Sequence, residues 1–89
     1  MKPLIQKAIK NGAVILDVRS PGEFAEGHYK GSINIPVQVL DQNLNQLDTN
    51  KEIIVCCAAG GRSAVAAAIL KARGFSFILD AGSWTNLSG

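Results

Sequence analysis

The chain has 89 residues, nine basic against seven acidic for a net charge of +2, the length of one domain and too even a balance for a polybasic nucleic-acid or lipid-binding surface. Hydrophobic residues make up 47% and charged residues 18%, which excludes a disordered or fibrous chain. The longest apolar stretches, Ile53 to Ala59 and Ala64 to Leu70, are far shorter than the ~18 residues of a spanning helix. A single domain over residues 1–89, a monomer with no nucleic-acid or membrane partner, is the expectation.

In chain order, Leu4, Ile5, Ala8 and Ile9 mark one face of a short helix, Pro3 to Lys10, closed by Asn11 and Gly12. Lys7, Lys10 and Asn11 interrupt any signal-peptide core in this region, so the protein is expected to be cytoplasmic, or periplasmic if a leader is removed upstream. Ala13 to Val18, rich in branched residues, predicts a buried strand. Ser20, Pro21 and Glu23 form a capping-box pattern that opens a helix from Pro21 to Glu26.

Ser32 to Ile35 predicts a second, shorter strand ended by Pro36. Val37, Leu40, Leu44 and Leu47 recur at spacings of three and four and predict an amphipathic helix. Ile53 to Cys56 reads as a strand buried on both faces. A helix from Arg62 to Arg73 is stopped by Gly74, Phe75 to Leu79 is a last strand, and the tail allows one helical turn around Trp84. Strands alternating with helices imply an α/β fold, a small and mostly parallel sheet flanked by helices on both faces. Sites in such sheets form at the carboxyl ends of the strands, which directs attention to the junctions after Asp17 and Cys57.

The only two cysteines are adjacent, Cys56 and Cys57. Neighbouring cysteines suit neither an ordinary disulfide nor a metal site, so free thiols are expected. From Ala58 to Gly61 no side chain exceeds one carbon, so the backbone can curl its N–H groups inward as an anion nest over the Cys57 sulfur. The following helix adds its N-terminal partial positive charge, and both lower the thiol pKa and favour the nucleophilic thiolate. Arg62 in the first helical turn opposes the dipole, a broken local rule beside a candidate nucleophile that suggests a functional role, the alternative being that it simply reaches solvent or a carboxylate such as Glu23.

Cys57-Ala58-Ala59-Gly60-Gly61-Arg62-Ser63 after a hydrophobic strand resembles the active-site loop of rhodanese-type sulfurtransferases. The run Leu16 to Phe24, the pair Gly27-His28 and the run Gly31 to Pro36 are similar to that family's N-terminal signature, and the similarity extends from about Ala13 to Trp84. The resemblance implies a rhodanese-like fold and a sulfurtransferase needing no metal or organic cofactor. Cys57 would attack a small anionic donor such as thiosulfate, become a persulfide, and pass the outer sulfur to cyanide, a thiol or a thiol protein. The substrate-binding set is then Ala58, Ala59, Gly60, Gly61, Arg62 and Ser63, with Arg19 from the first strand's end. Many thiosulfate-using members place a basic residue directly after the cysteine, where this chain has Ala58, leaving donor charge to Arg62, Arg19 and the backbone.

Two other readings compete with this one. Counted from Cys56 the loop is C-x5-R, the frame of cysteine-dependent phosphatases; counted from Cys57 it is C-x4-R, a smaller loop suited to one sulfur atom. A non-catalytic sulfur carrier or partner-binding domain would show the same residues. Cys56 continues the apolar run before it and reads as a buried strand residue. His28 reads as a packed turn residue, Asp17 and Arg19 equally as a buried polar network (Arg19 with Glu23, for instance), and Trp84 with Leu87 as a cap on the core.

Overall fold

The structure, a computed structural model, describes residues 2–87. Helix α1 (Pro3–Lys10) leads into β1 (Val14–Asp17), followed by α2 (Pro21–Glu26) and the two-residue β2 (Ile33–Asn34). Two short 3-10 segments, Val37–Gln42 and Leu44–Gln46, connect to β3 (Ile53–Cys57). Helix α3 (Gly61–Ala72), β4 (Ile78–Ser83) and a 3-10 turn at Trp84–Leu87 complete the order. The four strands lie in the order β2-β1-β3-β4, and every pairing is parallel.

Strand alternation divides the core into two layers. Leu16, Val18, Ile53, Val55 and Cys57 face Leu40, Ala66, Leu70 and Phe75, so α3 and the 3-10 segments cover this side of the sheet. Ile15, Ile54 and Cys56 face Ile5, Ala8, Ala81 and Leu87 on the other side, covered by α1 and the C-terminal turn. Leu16, Ile53, Ile54, Leu40 and Leu70 are all fully buried, each contributing about 1.5–3 kcal/mol by leaving water. The expected parallel sheet with helices on both faces is what forms, and Ala66 and Ala67 give α3 the low profile that lets it sit close on the strands.

The segment after Pro36 departs from the sequence expectation of one amphipathic α-helix. Leu40 and Leu47 are buried as the pattern requires, but the backbone is 3-10. Asn43 shows why: its side-chain amide donates to Val39 O at 2.8 Å, the acceptor an α-helix would give its backbone N–H, which instead reaches Leu40 O at 3.0 Å. Local amide competition of this kind, in a stretch dense in Asn, Gln and Asp, defeats the i to i−4 ladder.

The last strand also lies further along than expected, at Ile78–Ser83 in place of Phe75 to Leu79. Phe75 is spent on closing α3, its N–H bonding Leu70 O at 3.0 Å and its ring buried against the core. Pairing with β3 then runs past Leu79 because the register shifts between Val55 and Cys56, leaving Ala81 as an extra residue between Asp80 and Gly82. Gly82, at φ +71, supplies the left-handed backbone that this bulge needs.

Candidate active site

Cys57 is the last residue of β3, and the chain turns over it before α3 begins at Gly61. The turn depends on Gly60, whose φ of +103 lies in the left-handed region. In that conformation the Gly60 N–H points back and donates to the Cys57 Sγ at 3.0 Å. The Ser63 N–H, in the first turn of α3, donates to the same sulfur at 3.3 Å. Ser63 is fully buried, and its hydroxyl donates to Gly60 O at 3.0 Å, tying the two ends of the cradle together.

Burial of Cys57, which is 1% exposed, by itself opposes ionisation. The Ser63 hydroxyl and the N–H groups of Ser63, Gly60 and Ala59 outweigh it and hold the thiol below its ordinary value. The Ser63 hydroxyl has one proton and two acceptors within reach, Gly60 O and the sulfur, so it can turn to the sulfur as negative charge collects there. Ala58 and Ala59 are exposed at the rim.

Cys56 presents the opposite case. It belongs to the layer under α1, on the other face of the sheet from Cys57. Burial, with the Asp17 carboxylate next in weight, pushes its thiol up to about 12. The two sulfurs therefore serve different environments although their residues are neighbours, and the nest belongs to Cys57.

Arg62 reaches Glu23, the carboxylate that the sequence offered as its partner. Its Nη1 donates to Oε1 at 2.6 Å and its Nη2 to Oε2 at 2.9 Å, a bidentate pair joining α3 to α2 across 39 positions of sequence. Glu23 is itself fixed by the capping box, accepting from the Ser20 N–H and hydroxyl while its own N–H bonds Ser20 Oγ. Arg62, then Ser20, hold its carboxyl down at about 2. The cation that conflicts with the α3 dipole is thus compensated by a carboxylate.

Arg19 takes up the buried network that the sequence also allowed, with Asp17 as its partner where Glu23 had been suggested. Its Nε and Nη2 bond the Asp17 carboxylate at 2.7–3.1 Å, and Nη2 also donates to Gly27 O at 2.7 Å. The guanidinium lies 4.8 Å from the centre of the Trp84 ring, a cation–π contact the sequence reading of Trp84 as a core cap did not include. Asn34 ties Asp17 O and Arg19 O together from β2. Asp17 and Ile15 alternate with Leu16 and Val18, so this network shares the Cys56 face. His28 is exposed, stacks on Phe24 at 3.7 Å and bonds Phe24 O through Nδ1, a hydrogen-bonded turn residue.

Residues 2–88 match the rhodanese-like domain family. The chain belongs to that family. As a rhodanese-like protein it is 39% identical over 79 residues to the thiosulfate sulfurtransferase GlpE of Ectopseudomonas mendocina, covering 86% of this chain and 72% of GlpE. It is 36% identical over 66 residues to the putative sulfur carrier protein YrkF of Bacillus subtilis, covering 74% of this chain but only 36% of that longer one. The human single-domain sulfurtransferase TSTD1 superposes with a TM-score of 0.85 at 25% identity, covering 94% of this chain and 88% of the human one. At the level of the family, this rhodanese-like chain is a sulfurtransferase. None of its described helices is long and apolar enough to cross a membrane.

Proposed function

We propose that the chain moves sulfane sulfur from a small donor such as thiosulfate to a thiophilic acceptor, cyanide or a thiol, through a persulfide on Cys57. The observation that carries the reading is the pair of N–H groups, from Gly60 and Ser63, donated to one sulfur. In the first step the Cys57 thiolate attacks the outer sulfur of thiosulfate; an S–S bond forms to Sγ, the bond to the sulfonate breaks, and sulfite leaves with the electron pair. In the second, the acceptor attacks the outer sulfur, and Sγ regains the pair as thiolate; cyanide departs as thiocyanate. Negative charge stays within the cradle throughout, so the same amides of Ala59, Gly60 and Ser63 stabilise thiolate and persulfide alike.

Cys57 is the nucleophile, Ala58 to Ser63 form the cradle, and Arg62 stands at its entrance. Arg19 acts through the frame it braces. The phosphatase frame loses support because Cys56 faces the other side of the sheet. Two core layers on one sheet favour a single domain over residues 1–89, and the reaction as written needs only one chain, a monomer. A reducing compartment such as the cytoplasm keeps Cys57 available, and donor and acceptor are the only partners the reaction needs.

Intact mass after incubation with thiosulfate tests the assignment. Wild type and Cys56→Ser should each gain one sulfur atom, and Cys57→Ser none. Gain in Cys57→Ser would overturn it. A sulfur carrier without turnover would load the sulfur but release no thiocyanate when cyanide is added.

A further inference from the structure

Three facts about Arg62 converge. Both ends of its guanidinium fork are taken by Glu23, at 2.6 and 2.9 Å. Glu23 cannot easily swing away, because Ser20 holds the same carboxylate in the capping box that starts α2. The rim residues beside Arg62 in the loop, Ala58 and Ala59, bring no charge of their own. An incoming anion therefore meets an arginine with three N–H donors left but with its charge already matched.

We propose that Glu23 is a specificity-determining residue of this site: by holding Arg62 as a neutral pair, it biases the Cys57 cradle against dianionic donors and toward sulfane sulfur carried on an uncharged or thiol-borne molecule. The inference rests on the sulfurtransferase reading above and assigns its preferred substrate class. It also gives the arginine a positioning carboxylate that acts without touching the reacting sulfur. The pair is part-exposed, 35% at each side chain, so the effect is moderate, about fivefold in anion affinity.

Glu23→Gln is the discriminating variant. Glutamine serves the same capping-box position and retains an acceptor for Arg62, so α2 should still form while the charge is gone. Thiosulfate binding is measured by calorimetry on Cys57→Ser and on Cys57→Ser combined with Glu23→Gln. The double variant should bind about fivefold tighter, with the gain shrinking at high salt. In a Cys57-containing background, the ratio of kcat/KM for thiosulfate to that for an alkyl hydropersulfide, a thiol-borne donor whose outer sulfur bonds to Sγ as the alkyl thiolate leaves, should rise by a similar factor. Unchanged or weaker thiosulfate binding in the double variant overturns the proposal, as does an equal change toward both donors, which would make Glu23 a brace alone. If binding tightens but wild type transfers no sulfur, the assigned reaction fails and the anion selectivity stands.

Discussion

The Ser63 N–H and the Cys57 Sγ lie 3.3 Å apart, linking the first turn of α3 to the last residue of β3 across a loop of five residues. Because Ser63 is fully buried, water does not compete for that bond, and its hydroxyl can join it. Ser63→Ala removes the hydroxyl but leaves the N–H. Gly60 O keeps the Ala64 N–H at 3.2 Å as a partner, so folding should be little disturbed. We expect the Cys57 thiol pKa to rise, read from the pH dependence of thiolate absorbance, with kcat/KM for sulfur transfer down about tenfold to a hundredfold. An unshifted titration would mean the hydroxyl serves Gly60 alone.

The two thiols should separate chemically. Cys57, held below its ordinary value by its hydrogen bonds, should be the residue that iodoacetamide modifies in the native protein at mildly alkaline pH. Cys56, pushed up to about 12 by burial, should stay unmodified until the protein unfolds. Peptide mapping after labelling checks this, and native-state labelling at Cys56 would contradict the two-faced arrangement.

Gly60→Ala isolates the backbone's part in the cradle. A Cβ there would lie 3.8 Å from Gly82 Cα, ordinary contact, so space is not the obstacle. The φ of +103 lies in the left-handed region, where a side chain costs about 1–2 kcal/mol. A modest drop in the urea midpoint with a larger loss of sulfur loading is the expected pattern. Loss of stability with loading intact would show that the Gly60 N–H is dispensable.

Arg19→Ala should act on stability. It leaves the Asp17 carboxylate, 0% exposed, with its charge unpaired, and breaking a buried pair from one side costs about 3–5 kcal/mol. Urea unfolding measures this. A cost below about 1 kcal/mol would identify the pair as behaving like a surface one.

Acid should weaken the α2 to α3 connection. Glu23 is held at about 2 against an ordinary value of 4.5, a depressed carboxylate pKa, so its contribution is complete above 4.5 and is lost as pH falls from there toward 2. Over that window the wild-type stability curve should fall more steeply than that of Glu23→Gln. Parallel curves would show that the pair adds nothing to folding.

Much of the site could be read from short-range pattern. The Ser20-Pro21-Glu23 spacing forms the capping box it predicts, and the small residues from Ala58 to Gly61 form the nest, because these are decisions of the local backbone. Helices α1, α2 and α3 and strands β1 and β3 start and stop within a residue or so of their predicted bounds for the same reason. Contradictory local signals account for the misses: Asn43 turned a predicted α-helix into 3-10 segments, and a bulge at Ala81 carried β4 beyond its apolar run.

The sequence by itself therefore determined the elements, the parallel α/β architecture and the nucleophile's loop, since periodicity, capping and glycine conformation act over a few residues. Tertiary structure alone decided which charges meet. Arg62 finds Glu23 across 39 positions, Arg19 chooses Asp17 and lies over Trp84, and Cys56 and Cys57 fall into separate layers. An ion pair depends on where whole elements are packed, and several carboxylates suit any one arginine until packing places one of them within hydrogen-bond reach.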